Sequence, residues 1–246
     1  MWRKVVKLLS LETVEYKIRT VITSWQKPKY HLDTTYFHSI DNEEKAYWAG
    51  FCWCDGTVVK RKKGNHVEYC FKLDLQVRDI NHLYKFKKSL KSNHKIKEYS
   101  YTGGYKQGEK TAICRIDIYT KNFSQYMYHN MGIYPHRVFP LEIVEKLPTE
   151  LIRHFIRGVI DADGSLNKYT ETDPKNGNVY KKVSVAITTE VELNNFINDH
   201  LISQGLMKNK LAQMHRNEDR NSTCRTLNIG GTIQAPKCAT LHLWQF

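Results

Sequence analysis

AlaTyrTrpAlaGlyPheCysTrpCysAspGlyThr at residues 46–57 and HisPheIleArgGlyValIleAspAlaAspGlySer at residues 154–165 are two versions of one phrase: an apolar helix, then aspartate, then glycine. Ala46, Gly50 and Cys54 recur at four-residue steps in the first, as Gly158 and Ala162 do in the second. Residues four apart share a helix face. Small side chains there let two backbones approach closely, so the two helices are expected to pack on each other across the centre of the molecule. Asp55 and Asp163 then arrive at one end of the pair. A carboxylate at a helix C-terminus lies against the partial negative charge of unsatisfied carbonyls, and a second carboxylate nearby compounds the problem. Divalent cations would neutralise the pair and coordinate water and a scissile phosphate. Taken singly, either Asp-Gly is equally an exposed helix stop and turn; two copies, each before a strand, argue for the metal reading.

Around these phrases the chain repeats itself. Asp41 and Asn42 cap a helix predicted to run to about Trp53, with Gly56 as its exit. A strand from Thr57, a basic turn at Lys62, Lys63 and Gly64, and a second strand follow. In the second strand Val67, Tyr69, Phe71, Leu73, Leu75 and Val77 alternate with Lys72, Asp74, Gln76 and Arg78 on the opposite face. Next come a helix from Ile80 to near Leu90, a strand at 96–101, a turn at Gly103, Gly104 and Gly108, a strand at 113–120, and a helix at 121–131. The same order recurs as a helix at 151–160, strands near 165–170 and 179–188, a helix at 190–201, strands at 207–215 and 223–229, and a short helix reaching Trp244. LeuGlnValArgAsp at 75–79 is matched with ValAlaIleThrThr at 185–189, and Phe86 with Phe196. The predicted organisation is an N-terminal helical extension and linker over 1–37, a first half over 38–135, an inter-half connection over 136–147, and a second half over 148–246. Val138, Phe139, Leu141 and Val144 make that connection too apolar for a free tether, so the halves are expected to pack together.

The chain of 246 residues carries 38 Lys and Arg against 25 Asp and Glu, a formal charge of +13. Such a surface implies a polyanionic partner. It says nothing about catalysis, since a structural nucleic-acid protein shows the same excess. No stretch reaches the eighteen or so apolar residues of a membrane span, and the N-terminal apolar run is too short for a signal peptide. An intracellular protein without a membrane partner, in cytoplasm or nucleoid, is therefore expected. Cys52 and Cys54 lack a second ligand pair at zinc spacing, and the six cysteines read as buried thiols in a reducing compartment.

The two phrases resemble the motif of the LAGLIDADG homing endonucleases, of the monomeric, two-motif kind. LeuAlaGlyLeuIleAspAlaAspGly is met here as TrpAlaGlyPheCysTrpCysAspGly at 48–56 and IleArgGlyValIleAspAlaAspGly at 156–164. The first copy departs at Cys52, Trp53 and Cys54 but keeps Ala49, Gly50, Asp55 and Gly56. IleAspAsnGluGluLysAlaTyrTrp before it is similar to phage and bacterial members, and the likeness covers roughly residues 38–245. The resemblance implies an α+β fold of two pseudo-symmetric αββαββα halves whose sheets form a saddle over double-stranded DNA. It further implies that Asp55 and Asp163 bind Mg2+ or another divalent cation, each facing a scissile phosphate, and that Asp161, replaced by Trp53 in the first copy, serves packing and capping. A lysine just beyond the fourth strand often lies near the hydrolytic water in the family; Lys121 matches it, with Gly231 or Thr232 in the second half.

The resemblance also implies sequence-reading residues on the open face of the strands. Alternation from Asp55 places Thr57, Val59, Arg61 and Lys63 there, and alternation from Asp163 places Ser165, Asn167 and Tyr169. The second strands add Lys72, Asp74, Gln76 and Arg78 from one half and Lys182, Ser184, Ala186 and Thr188 from the other. Gln76 suits adenine, and the basic residues suit guanine or phosphate; for any single lysine a solvated sheet face reads equally well. Two other functions compete. An RNA maturase assisting intron splicing would use the same basic surface with RNA as partner but would need no surviving metal site. A non-cleaving DNA-binding regulator would rest on LeuLeuSerLeuGluThrValGluTyrLysIleArg near the N-terminus, which lacks the glycine turn of a helix-turn-helix. Met1 and the terminal LeuHisLeuTrpGlnPhe lead us to expect a free-standing endonuclease rather than an intein.

Overall fold

The computed structural model describes residues 29–102, 110–136, 139–207, 215–216 and 224–230. The expected N-terminal helices, the glycine-rich turn, the C-terminal helix, Gly231 and Thr232 lie outside the described residues. The chain divides into two compact units, Met1–His31 and Leu32–Phe246, and the second contains both repeats. Among the described residues no helix is long and apolar enough to cross a membrane.

The first half opens with α1 (Glu43–Asp55). Asn42 caps it, its side-chain oxygen accepting from the Lys45 N–H at 3.0 Å, and Glu43 and Glu44 face the positive end of the helix dipole. The strands β1 (Gly56–Lys63) and β2 (His66–Gln76) form a hairpin across Gly64, and a single 3-10 turn, Val77–Asp79, leads into α2 (Ile80–Ser89). Then come β3 (Ile96–Thr102), β4 (Lys110–Ile118) and α3 (Lys121–His129). After the short α4 (Glu142–Glu145), the second half repeats the order with α5 (Thr149–Asp163), β5 (Gly164–Thr172), β6 (Val179–Glu190), α6 (Val191–Ser203), β7 (His215–Arg216) and β8 (Cys224–Gly230).

The two antiparallel sheets have the same strand order, β1-β2-β4-β3 and β5-β6-β8-β7. One face of each is buried under helices. Val58, Phe71, Leu73, Ile116 and Ile118 meet Leu83 and Phe86 of α2 and Phe123 and Met127 of α3 in one core, which continues through Val185, Ile187, Leu193, Ile197, Leu227 and Ile229 of the second half. Among the described residues no helix covers the opposite face. This is the α+β arrangement of two like halves that the resemblance implies.

Strand pairing matches the two repeats in a different register from the short phrases. Gly56 pairs with Leu73 and Leu73 with Ile116; Gly164 pairs with Ile187 and Ile187 with Leu227. Leu73 is therefore the counterpart of Ile187, four residues out of step with the alignment of 75–79 on 185–189. The 3-10 turn after β2 has no equivalent, because α6 starts directly after Glu190. Hairpin pairing sets the register, and short-phrase similarity does not. In the same way the fully buried counterpart of Phe86 is Ile197, while Phe196 is only partly buried.

The centre of the molecule is the crossing of α1 and α5, the most extensive contact between helices. A Cβ added at Gly158 would lie 2.1 Å from the Tyr47 carbonyl oxygen, and one at Gly50 would lie 2.2 Å from that of Phe155. Each glycine thus sits on the backbone of the other helix. Gly158→Ala is expected to destabilise the protein by about 3 kcal/mol through overpacking at a site with no slack. Gly64→Ala adds only the cost of a left-handed residue, about 1 kcal/mol, since φ is +60° there and nothing lies within 4 Å. Urea midpoints of the two variants check this; equal losses would show that the helix crossing is not the tight point.

Candidate active site and nucleic-acid interface

Asp55 and Asp163 are the last residues of α1 and α5. The next residue in each case, Gly56 or Gly164, turns into extended backbone while its N–H still closes on the helix, at the Cys52 and Ile160 carbonyls. A carboxylate is thereby fixed where helix becomes strand. A cleft of about 660 Å³ opens at this place, and its wall mixes the halves: Asp55, Asp74, Gln76 and Arg78 come from the first, Asp161, Ala162 and Gly164 from the second.

The two helix ends are held by different chemistry. Asp161 accepts a hydrogen bond of 2.9 Å from the Tyr47 hydroxyl, which also lies 2.9 Å from Nε2 of His82. Because Tyr47 has one proton and gives it to Asp161, its oxygen accepts from the Nε2–H tautomer of His82. Burial favours that neutral imidazole by lowering the His82 pKa, as does the Lys85 charge. Burial also raises the Asp161 carboxyl, while the Tyr47 hydrogen bond and Arg157 pull it back; the Arg157 guanidinium lies 5.0 Å over the Tyr47 ring. Trp53 and Phe155 occupy the matching positions of the other repeat. There Trp53 meets Phe139 edge-on with centroids 4.8 Å apart, and Phe139 lies 5.9 Å from Phe155. An aromatic cluster replaces the polar chain. The substitution of Trp53 for aspartate in the first motif is thus matched by a change of partner.

Strand pairing sorts the expected interface residues. Thr57 lies opposite Lys72, Val59 opposite Cys70, Arg61 opposite Glu68 and Lys63 opposite His66, on the face away from fully buried Val58 and Phe71. Ser165 lies opposite Ala186, Asn167 opposite Ser184 and Tyr169 opposite Lys182. The Thr188 hydroxyl is 2.9 Å from that of Thr226 across the pair, and Lys182 is ion-paired with Glu171. Asp74 and Gln76 share the row of Lys72. Arg78 does not: it belongs to the 3-10 turn, where the ladder has ended, and it reaches the cleft as an exposed side chain rather than as a strand residue.

Lys121 is not brought to Asp55. It is exposed, at the first position of α3. It lies five residues beyond Ile116, the residue level with Gly56, on a strand that runs with β1 away from the aspartate. The cleft beside Asp55 is lined instead by His82 and Lys85 of α2. Sequence reasoning also passed over the other two strands. Arg115 and Asp117 of β4 stand opposite Asp74 and Lys72, with Lys97 of β3 opposite Arg115. The signal was present in the alternation of Cys114, Ile116 and Ile118 with Arg115 and Asp117.

Among the described residues no three His, Cys, Asp or Glu side chains gather into a ready-made metal cage. Two carboxylates at adjoining helix ends nonetheless suit a cation that keeps several waters and takes further oxygen ligands from phosphate, as Mg2+ does.

A repeated αββαββ arrangement, two open sheet faces and a pair of crossed motif helices define the saddle-shaped, two-half fold of the LAGLIDADG meganucleases. Solved structures with that architecture match the chain. Two structures of meganuclease I-SmaMI bound to uncleaveable DNA, with TTCT and TTGT central four bases, each give a TM-score of 0.51 at 13% identity. The matches cover 81% of this chain and 82% and 80% of theirs. LAGLIDADG meganuclease I-CpaMI bound to uncleaved DNA gives 0.49 at 12% identity, covering 83% of this chain and 86% of that one. No family model and no curated protein matches the sequence.

The polar chain at the helix crossing yields a prediction. Tyr47→Phe removes the donor to a charged, partly desolvated carboxylate and should cost about 1–3 kcal/mol at neutral pH. The loss should shrink in acid, where protonated Asp161 would accept only a weaker, neutral bond. Denaturation at the two pH values measures both; a loss that is the same in each would deny the charged bond.

Proposed function

We propose that the protein is a LAGLIDADG homing endonuclease of the monomeric, two-motif type, hydrolysing both strands of a long, asymmetric double-stranded DNA site with divalent metal. The observation that carries this reading is the delivery of Asp55 and Asp163, one from each half, to the same end of two helices locked together by Gly50 and Gly158. The +13 charge and the two sheet faces that no described helix covers support DNA as the polyanion.

Asp55 and Asp163 are the residues that would hold the metal. When bound there, Mg2+ supplies positive charge toward a scissile phosphate and makes water a better nucleophile. The aspartates fix where that chemistry occurs on each strand, and the sheet faces hold the duplex so that each phosphate meets one carboxylate. Because one chain supplies both aspartates, a single copy suits an asymmetric site, and no two-fold symmetry is imposed on the DNA.

Three outcomes are expected. Asp55→Asn and Asp163→Asn should each abolish efficient double-strand cleavage, by at least about a hundredfold, while leaving metal-independent DNA binding. Chelation of divalent cations should stop cleavage by the parent, and adding Mg2+ back should restore it. Analytical ultracentrifugation should find one protein chain per duplex. Cleavage of a selected target at the parental rate by either aspartate variant would refute the active-site assignment, and an obligatory two-chain cleaving species would refute the monomeric one.

A further inference from the structure

Arg115 stands at the centre of the first half's open sheet face. Strand pairing sets it directly between Asp74 of β2 and Lys97 of β3, one step from the level of Gly56, where α1 delivers Asp55. Its Nε donates to Asp74 Oδ1 and its Nη2 to Asp74 Oδ2, both at 2.5 Å. The guanidinium lies 5.4 Å from the centre of the Tyr99 ring. The pair is half-buried, with side-chain exposures of 26% for Arg115 and 37% for Asp74. The neighbouring cation, Lys97, is tied to Asp117 at 3.2 Å.

Two consequences follow from donor chemistry. A guanidinium has five N–H groups, and Asp74 takes the Nε–H and one of those on Nη2. The remaining Nη1 and Nη2 protons form a fork whose direction is fixed by the carboxylate and the ring. That fork matches the O6 and N7 acceptors of guanine in the major groove, the commonest specific contact to a base. Asp74 also cancels the charge of Arg115, so the pair gains little from the phosphate neutralisation and counterion release that drive non-specific binding. An arginine placed to grip the backbone would gain nothing from a carboxylate at hydrogen-bond distance. A base reader gains a fixed orientation and a penalty against wrong partners, because a base that offers no acceptors leaves oriented donors unpaired.

We propose that Arg115, oriented by Asp74, reads one guanine of the DNA target and is a specificity-determining residue of the first half; this rests on the DNA-binding reading above. The full chain, with divalent cation chelated so that nothing is cut, is used to select from a randomised duplex library, and each variant is put through the same selection. The parent selects guanine at one position at least about tenfold over other bases. Arg115→Met loses that preference while the other positions keep theirs. Asp74→Asn retains an acceptor and the side-chain shape; it weakens the same single preference and steepens the salt dependence of non-specific binding by about one phosphate contact. A merely structural cross-strand pair would shift melting temperature without touching one base position. An unchanged guanine preference in Arg115→Met overturns the inference and leaves the DNA-binding reading standing. A uniform loss over all positions with a shallower salt slope, the mark of a phosphate contact, also overturns it. If the parent selects no sequence at all, the DNA-binding reading fails and takes this inference with it.

Discussion

Everything else in the molecule depends on the contact of α1 and α5 through Gly50 and Gly158. With no Cβ on either glycine, the Tyr47 and Phe155 carbonyls of the facing helices come within the space a methyl group would fill. Glycine inside a helix costs about 1 kcal/mol relative to alanine, and this cost is accepted twice. The return is geometric. Two helices in backbone contact carry their C-terminal ends together, and each end is covalently continuous with the first strand of a sheet. The crossing therefore sets where the two sheets start, where their open faces lie, and where Asp55 and Asp163 are held. The same contact gathers two helix C-termini and several carboxylates in a chain of net charge +13, an electrostatic cost that cation and phosphate binding would offset.

The pseudo-symmetry holds in position and breaks in chemistry. Asp161 and Trp53 occupy equivalent places, as do Tyr47 and Phe155. One set is a hydrogen-bond chain from His82 through Tyr47 to the carboxylate; the other is a cluster of Trp53, Phe139 and Phe155. Each set suits its own neighbours, and exchanging a single member would leave a carboxylate against aromatic carbon or a hydroxyl without its acceptor. Such compensated changes are open to two repeats in one chain, because each copy can diverge with its own neighbours.

The sheet faces differ in the same way. On the first, charges are arranged in cross-strand couples, Arg115 with Asp74 and Lys97 with Asp117. The second presents Ser165, Asn167 and the Thr188–Thr226 hydroxyl pair, with Lys182 coupled to Glu171. Cations paired in this way offer fixed hydrogen-bonding patterns more than raw positive charge. Lys72, Arg61 and Lys63 stand on the same face outside those couples, so groups suited to holding a polyanion and groups suited to discriminating along it share one surface.

The sequence by itself determined the repeat, the glycine-faced helices, the aspartates that end them and the alternation that gives each strand a buried and an open side. These are local properties: helical and strand periodicities are written in the spacing of side chains along one segment. Tertiary structure decided what lies across space. Short phrases suggested an alignment of 75–79 with 185–189, but hydrogen-bonded register moved it by four residues, since no local feature of β2 announces that a 3-10 turn will follow it while β6 enters its helix directly. Register likewise took Lys121 away from Asp55 and joined Arg115 to Asp74, residues 41 apart in sequence, while helix packing brought Lys85 and His82 to the cleft that Asp55 lines. Pairings of that kind depend on which strands become neighbours, and that choice belongs to the packed core as a whole rather than to any stretch of chain.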